Sequence, residues 1–395
     1  MGALFEPDRH EPPQGRAWDA GVAADAIVRI AAETGAAASP EGVWPVHPDD
    51  ATDGEPPAMG LYFGSAGVVW ALDYLAREGA APAGPSFAEH LPGMLASNYA
   101  SHVNLGLQTR GYLVGASGIL ALQCKLAPSA AAAEALAAVI VENTDDPALE
   151  LMWGGPGTML AALFMHRATG EARWAELFRT GAEALERAFV FDDAAGGFLW
   201  SQDLYGMTVK FVGAVHGFAG SAYVLWVGRN LLTPEVWGRW SSRIAETLRA
   251  TAIHGEAGVN WSALAPPDPK ALVQHCHGAP GMITTLGLLD EPIDDLLLAA
   301  GELTWTAGPL TKGANLCHGT AGNGYAFLKL FERTGDQIWL DRARAFAMHA
   351  IAQSDAEAAA VGQRRHSLWT GDPGLACYLL DCIEARARFP TLDVL

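Results

Sequence analysis

Residues 315–322 read Asn-Leu-Cys-His-Gly-Thr-Ala-Gly, and residues 275–281 read His-Cys-His-Gly-Ala-Pro-Gly. Each stretch places a thiol next to an imidazole, directly before a Gly-x-x-Gly step and an apolar run. Glycine lets two backbones approach closely, and a helix that starts there leaves its first N–H groups free. The two stretches therefore predict buried helices that each begin beside a Cys-His pair.

The Gly-x-x-Gly step belongs to a repeat that runs through the chain. It occurs seven times, at residues 64–67, 115–118, 154–157, 217–220, 278–281, 319–322 and 371–374. Between the first glycines of the first and last steps the chain advances 307 residues over six intervals, a mean period of about 51. An apolar run follows each step, as expected of a helix that is packed on most sides. This period fits a pair of helices with its connections.

Amphipathic segments precede the steps and predict a second set of helices. They cover residues 18–33, 86–97, 129–142, 171–189, 234–252, 294–303 and 337–352. Ser129 and Thr233 are placed to cap their helices, whereas Pro92 interrupts its segment. Strand signals are limited to a short hairpin over 191–200. The predicted fold class is all-α: an α/α toroid (barrel) of seven inner and seven outer helices, whose inner helices start on one face.

The composition sets limits on domain number and partners. Because the repeat has no linker, we expect one domain over 16–385, preceded by a flexible N-terminal segment over 1–15 without the features of a signal peptide. No apolar run reaches the roughly 20 residues of a membrane span. The net charge of −19 argues against binding to nucleic acid or an anionic membrane. Five cysteines without disulfide-scaffold spacing favour a reducing, cytoplasmic compartment.

Aligning the seven repeat units on their first glycine shows where polar residues fall. The residues directly before that glycine are Phe63, Val114, Trp153, His216, His277, His318 and Thr370. The residues two before it are Tyr62, Leu113, Met152, Val215, Cys276, Cys317 and Trp369. Units four to six thus replace a mainly apolar default with three histidines and two cysteines. Buried polar groups need partners, so we expect these five side chains to meet in space.

Thiolate and imidazole together are ligands that suit Zn²⁺. Cys276, Cys317 and His318 would supply three protein ligands to one ion and leave a fourth position open, as in catalytic zinc sites. His277 occupies in its unit the position that His318 occupies in the next. The residues alone therefore leave open which histidine binds, or whether both do. The alternative is two buried free thiols beside histidines that are hydrogen-bonded elsewhere.

His216 has no neighbouring cysteine, so its position favours a general acid or base that faces the metal over a ligand. The alternative is a core histidine bonded to a carbonyl group. Glu150 lies four residues before the first glycine of the third unit. It is a second catalytic candidate in the same mouth, which is the opening of the toroid where the inner helices start. A solvated loop carboxylate is an equally good interpretation of Glu150.

The three motifs, in order, are Gly-Ala-x-His-Gly-x-Ala-Gly, Cys-His-Gly-Ala-Pro-Gly and Cys-His-Gly-Thr-Ala-Gly. With the leading Gly-x-x-Gly units, they resemble the lanthionine synthetase C-like family over about residues 16–385. The resemblance implies a seven-unit α/α toroid with one central zinc ion. It also implies zinc-activated addition of a cysteine thiol to a dehydroalanine or dehydrobutyrine, which forms a thioether.

Carried over by position, the resemblance assigns the zinc ligands to Cys276, Cys317 and His318 and leaves His277 facing the substrate. It makes His216 the catalytic histidine, with Glu150 near an aspartate of the cyclases. The Cys-His-Gly form is closer to the stand-alone members, which resemble glutathione-adding enzymes. Lys210 lies near a basic position of those members and is expected to meet a substrate carboxylate.

The expected partners are a dehydrated peptide or a glutathione-type thiol, with a dehydratase or kinase as the source of the acceptor. Two other functions compete with this one. A non-catalytic protein that holds zinc and thiols such as glutathione would keep the same ligands. An α/α-toroid glycosidase would need paired carboxylates at the mouth, where the aligned positions carry cysteine and histidine.

Overall fold

The computed structural model describes residues 3–51 and 56–395. Fourteen α-helices in these residues alternate between two rings. The outer helices are α1 Ala20–Ala36, α3 Leu91–Asn104, α5 Ala130–Asn143, α7 Ala172–Ala188, α9 Pro234–Ala250, α11 Asp294–Ala307 and α13 Gln337–Val361. The inner helices are α2 Ser65–Arg77, α4 Ala116–Leu126, α6 Gly155–Thr169, α8 Phe218–Val227, α10 Ala279–Leu286, α12 Thr320–Thr334 and α14 Asp372–Glu384.

The inner helices form a closed ring. Each one packs against the next inner helix, and α14 returns to contact α2. The outer helices pack on the inner ones, with α6 against α7 and α12 against α13 among the more extensive pairs. The predicted fold class, an α/α toroid of seven inner and seven outer helices, is therefore confirmed. No helix in residues 3–51 and 56–395 is both long and apolar enough to cross a membrane.

The second glycine of every step is required by a close backbone approach. A Cβ atom built on any of these seven glycines would lie 1.8 to 2.3 Å from the carbonyl oxygen six residues earlier. The first glycine caps its helix, and the loop before it curls back over the first turn. The glycines therefore let each loop fold tightly over the helix that it precedes.

The loops are joined to one another by backbone hydrogen bonds. The donors and acceptors are the residues two before the first glycine: Tyr62 to Leu113, Leu113 to Met152, Cys276 to Cys317, Cys317 to Trp369, and Trp369 to Tyr62. These N···O distances lie between 2.8 and 3.3 Å. Positions that align in the sequence repeat are therefore neighbours in space.

Proline places the start of one helix where the sequence pattern showed an interruption. Helix α3 begins at Leu91, so Pro92 occupies its first turn, where the missing N–H removes no helical hydrogen bond. The predicted 86–97 segment thus divides into a 3₁₀ turn, Ala88–His90, and the longer helix α3. Helix α13 also runs beyond its prediction, to Val361.

In the described part of the chain, three short antiparallel hairpins lie between the helices. Strands β1 Val190–Asp192 and β2 Gly197–Leu199 form the hairpin predicted over 191–200. The pairs β3 Gln202–Leu204 with β4 Met207–Val209, and β5 Ala252–Gly255 with β6 Gly258–Trp261, were not predicted. Strands of three or four residues are too short to show a clear alternation of apolar and polar residues.

The packed part of the chain extends past 16–385 at both ends. The sequence prediction separates residues 1–15 as a flexible segment, whereas His10 bonds the carbonyl of Gly308 at 2.9 Å and Glu11 bonds His349 at 2.8 Å. Near the C-terminus, Phe389 is buried in the core. The polar composition of the first segment gave no sign of these long-range contacts. Met1 and Gly2 lie outside the described residues.

The Gly118→Ala variant tests the close approach. Its Cβ would lie 2.1 Å from the carbonyl oxygen of Tyr112. We therefore expect the free energy of unfolding to fall by about 3 kcal/mol and the thermal midpoint to fall with it. Gly238→Ala in α9 is the control, because apart from the adjacent backbone of its own helix no described atom lies within 4 Å of its Cβ position. Alanine should stabilise that helix by up to ~1 kcal/mol. Equal thermal midpoints for the two variants would contradict the conclusion that the close backbone approach requires glycine at position 118.

Candidate active site

Two buried thiols lie side by side at the starts of α10 and α12. The Cys276 N–H donates to the Cys317 carbonyl at 3.0 Å, and each thiol affects the pKa of the other. The residues are only 7% and 3% exposed. Each sulfur has one further donor: the Tyr62 hydroxyl lies 2.6 Å from the Cys317 Sγ, and the Gln274 Nε2 lies 2.9 Å from the Cys276 Sγ.

The two thiols differ in how readily they ionise. The hydrogen bond from Cys317 lowers the pKa of Cys276, and the Gln274 amide lowers it further, against the opposing effect of burial. The same hydrogen bond and burial raise the pKa of Cys317 well above its usual range. One negative charge is therefore readily formed and a second is opposed by the first. A cation between the sulfurs would remove that opposition.

His318 follows Cys317 and is partly buried. Its backbone N–H donates to the Asn315 Oδ1 at 2.9 Å, which fixes the turn before α12. Burial, assisted by the charges of Lys312 and Arg365, lowers the pKa of its ring to about 4. The imidazole is neutral at pH 7, which is the form that binds a metal.

His277 lies between the thiols and His216. Its ring is 6.5 Å from that of His216, stacked at 29°, and 6.0 Å from the Phe211 ring. Burial and the charge of His216 lower the pKa of its ring to about 4. The buried Nδ1 atom has no hydrogen-bond partner among residues 3–51 and 56–395. His277 is thus a second neutral imidazole with an unused polar atom, so the choice between it and His318 as ligand stays a proposal.

The donor set fits zinc in chemical type, with two thiols in contact and neutral imidazoles in the same loops. Among the described residues, however, Cys276, Cys317 and His318 are not a set whose donor atoms all lie within 4.8 Å of one another. At least one of the three separations is therefore longer than that. The fit rests on the donor types and the paired thiols.

A different group does meet that distance. One donor atom each from His47, Asp49 and Glu357 lies within 4.8 Å of the others. The His47 Nε2 is 3.8 Å from the Glu357 Oε1, and the Arg365 Nη1 is 3.5 Å from the same oxygen. Because the guanidinium already balances the carboxylate, we assign this group no metal.

His216 and Glu150 form a hydrogen-bonded pair that the repeat alone did not reveal. The His216 Nδ1 donates to the Glu150 Oε2 at 2.9 Å. Glu150 is fully buried, and its carboxylate also accepts from the backbone N–H groups of Met152 and Trp153 at 3.0 and 2.6 Å. The solvated-loop interpretation of Glu150 is therefore wrong. Its geometry is that of a residue that orients His216.

The pKa of His216 is raised above its ordinary value. Burial favours the neutral ring, but the charge and the hydrogen bond of Glu150 outweigh it, with a smaller effect from Cys276. Glu150 also holds the tautomer with the proton on Nδ1, so Nε2 is the atom that can exchange a proton with a substrate. His216 is suited to protonate a carbanion near neutral pH.

Aromatic side chains line the mouth beside the histidines. The Tyr205 ring meets the His216 ring edge-on at 5.7 Å, and its hydroxyl accepts a hydrogen bond from the Trp153 Nε1 at 3.1 Å. Tyr205 remains 59% exposed. It lies on the turn between β3 and β4, a hairpin that was not predicted. This wall offers an apolar surface next to the acid.

Lys210 is not directed to the thiol pair. Its ammonium forms an ion pair with the Asp192 carboxylate of β1, which lowers the pKa of Asp192. A paired ammonium is poorly available to a substrate carboxylate. The expectation that Lys210 binds substrate therefore has no support in this geometry.

Other cations, missed in the sequence, surround the site. Lys312 is exposed and close enough to affect both thiols and His318, and Arg365 and Arg9 also act on His318. The Arg9 Nη2 donates to the Gln274 Oε1 at 3.2 Å. Lys312 lies shortly before the Cys317-His318 pair, so its sequence position could have marked it as a candidate substrate-binding residue. Arg9 lies in the segment placed outside the domain, so nothing local marked it.

Comparisons with known proteins agree with this fold. The family model described as Lanthionine synthetase C-like protein matches residues 55–394. LanC-like protein GCL1 of Arabidopsis thaliana is 29% identical over 263 residues, 62% of this chain and 58% of the relative. Glutathione S-transferase LANCL1 of Danio rerio is 27% identical over 268 residues, 62% of each chain. Both matches thus span less than two thirds of the relatives.

A solved structure gives the same picture for the fold. Nisin cyclase superposes with a TM-score of 0.60 at 14% identity, covering 85% of this chain and 92% of the cyclase. At this identity the likeness concerns the arrangement of helices alone.

The Glu150→Gln variant tests the pair. Without the carboxylate charge the effect of burial dominates, so the pKa of His216 should fall. NMR titration of the histidine rings in zinc-free protein measures this pKa, and the His216→Ala variant identifies the signal of His216. A histidine whose pKa is higher in the folded than in the unfolded protein stabilises the fold at pH values below its unfolded pKa. This stabilisation is lost as the pH rises through the folded pKa. The variant should therefore lose stability at low pH relative to the unaltered chain.

Glu176→Gln is the matched control, because this exposed carboxylate of α7 lies on the outer ring. It should leave the His216 titration unchanged. If Glu150→Gln also leaves it unchanged, the carboxylate does not control the proton affinity of His216.

Proposed function

The chain belongs to the lanthionine synthetase C-like family, and from this membership and the site geometry we propose that it catalyses zinc-dependent addition of a cysteine thiol to a dehydroalanine or dehydrobutyrine, forming a thioether. The observation that carries the proposal is the pair of buried thiols, on residues joined by a backbone hydrogen bond, together with the hydrogen-bonded His216–Glu150 pair. Cys276 and His216 are close enough to influence each other's pKa.

In this proposal Cys276, Cys317 and His318 hold one zinc ion, and His277 faces the substrate. When bound, zinc would keep a substrate thiol as the thiolate near neutral pH. The paired thiols support this assignment because they sit where a cation relieves the cost of a second negative charge. The neutral state of both imidazoles also suits it.

His216 supplies the proton that completes the addition. The sulfur attacks the β-carbon of the dehydroamino acid, so a C–S bond forms and the π-electron pair of the double bond moves to the α-carbon and its carbonyl. The His216 Nε2 then gives its proton to the α-carbon. Glu150 stabilises the protonated ring before this transfer and is a positioning residue.

The charges beside the site favour a thiol that carries a carboxylate. The protein has a net charge of −19, yet the exposed ammonium of Lys312 is close enough to act on His318 and on both thiols. Arg365 also acts on His318 but is paired with Asp50. The charge of Lys312 attracts an anionic substrate such as glutathione or a peptide with acidic groups. A dehydrated peptide is the proposed acceptor, with a dehydratase or kinase as its source. All five cysteines are unpaired, which supports a reducing, cytoplasmic setting.

The glycosidase alternative is not supported by the carboxylate geometry. Glycoside hydrolysis needs two carboxyl groups that flank the scissile bond. Glu150, the carboxylate predicted at the mouth, is fully buried and accepts three hydrogen bonds from the protein. The chain's own site therefore favours thiol chemistry.

The test of the function combines zinc content with turnover of glutathione and a dehydroalanine peptide. His216→Ala should keep one zinc per chain but lower kcat roughly 100- to 10,000-fold, because the proton donor is lost. Cys276→Ala and Cys317→Ala should lose zinc and activity. Cys124→Ala is the control, because this thiol is only partly buried and lies on α4, away from the loops of the site.

Two outcomes would contradict the proposal. Zinc-loaded protein that binds glutathione without turnover above background indicates a non-catalytic thiol-binding protein. Full turnover in protein shown to be free of zinc refutes the role of the metal.

The Lys312→Met variant tests the preference for an anionic thiol. Removing one positive charge should raise KM for glutathione about tenfold, equivalent to about 1.4 kcal/mol, and leave KM for uncharged 2-mercaptoethanol unchanged. Lys210→Met is the comparison, because its ammonium is paired with Asp192, and it should change neither value. The reverse result would assign substrate binding to Lys210.

A further inference from the structure

Both sulfurs of the thiol pair are hydrogen-bonded by neutral side chains, Tyr62 from unit one and Gln274 from two residues before Cys276. The Tyr62 hydroxyl donates to the Cys317 Sγ at 2.6 Å, and the Gln274 Nε2 donates to the Cys276 Sγ at 2.9 Å. Tyr62 is 8% exposed and Gln274 is 6% exposed, so water competes little with either bond. Each sulfur thus has its own buried donor.

The fold fixes the direction of the Tyr62 hydroxyl. Tyr62 stands in unit one at the repeat position that holds cysteine in units five and six. Its carbonyl accepts from the Trp369 N–H at 2.9 Å, and its ring stacks on the Trp369 ring at 5.4 Å and 28°. The phenol of unit one therefore extends past unit seven to the sulfur of unit six. The stacked indole of Trp369 fixes the position of the phenol ring.

Arg9 fixes the orientation of the Gln274 amide. A guanidinium has only donors, and the Arg9 Nη2 lies 3.2 Å from the Gln274 side chain. The amide atom that faces Arg9 must therefore be the oxygen, and the atom that faces Cys276 must be the NH₂ group. The N-terminal segment thus controls a donor to the thiol pair.

We propose that Tyr62 and Gln274 are positioning residues that hydrogen-bond the two thiolate ligands of the metal centre. This inference rests on the proposed zinc site at Cys276 and Cys317. A hydrogen bond to a thiolate withdraws charge from the sulfur, so the sulfur donates less to the cation. The cation then keeps more of its ability to hold a substrate thiol as thiolate. The bonds also hold both sulfurs in one orientation before the metal arrives.

The donors are neutral, which distinguishes them from lysine or arginine. A cation in hydrogen-bond contact with the sulfurs would compete with the metal for their charge. A phenol and an amide orient the sulfur lone pairs without adding a full positive charge. The nearby Lys312 is exposed and remains available for the substrate.

Cobalt(II) substitution in the full-length chain tests this directly, because thiolate-to-cobalt charge-transfer absorption reports the charge on sulfur. We expect Tyr62→Phe to move this band to longer wavelength, because the sulfur regains charge. The variant should also weaken Zn²⁺ affinity about tenfold in competition with a chelator, because the Cys317 sulfur is no longer held in one orientation before the metal binds. Gln274→Met should move the band in the same direction. Tyr112→Phe is the matched control, since its buried hydroxyl bonds the Thr391 carbonyl at 2.8 Å, and it should change neither measurement.

The outcomes separate this inference from the proposed function. If the unaltered chain shows no thiolate-to-cobalt band, the proposed metal site itself is wrong. If that band is present and neither Tyr62→Phe nor Gln274→Met moves it, the positioning role is wrong. Circular dichroism checks that each variant folds, and if Tyr62→Phe does not fold, the band of Gln274→Met alone decides.

Discussion

The contact between the second glycine of each step and the carbonyl oxygen six residues earlier is the constraint on which the structure depends. A Cβ atom in any of the seven positions would lie within 2.3 Å of that oxygen. The contact lets each loop curl over the start of its inner helix, and the curled loops then hydrogen-bond to their neighbours. Repeat positions become adjacent positions around one mouth.

The site is a consequence of this ring. Cys276 and Cys317 are aligned in the repeat and joined by a backbone hydrogen bond, so their sulfurs are paired without any special local turn. Tyr62 enters from the aligned position of unit one. Function is thus built by changing residue types at equivalent positions, while the same backbone contact is kept in all seven units.

The histidines on the two sides of the mouth have opposite shifts in proton affinity. Burial lowers the pKa of His277 and His318 to about 4, so both rings are neutral. His216 is also buried, but the Glu150 carboxylate beneath it raises its pKa instead. Neutral imidazoles on one side and a proton donor on the other are the states that the proposed thiol addition requires. One buried carboxylate makes this difference.

The sequence alone determined the toroid, the number of helix pairs and the positions of the cysteines and of His216, because period and residue type are local properties. Only the tertiary structure decided which side chains meet. Glu150 orients His216, Tyr62 and Gln274 bond the sulfurs, Lys210 pairs with Asp192, and residues 3–15 pack on the domain. These contacts depend on side-chain directions and on approaches between distant segments, such as Tyr62 and Cys317, which are 255 positions apart. No local pattern encodes them.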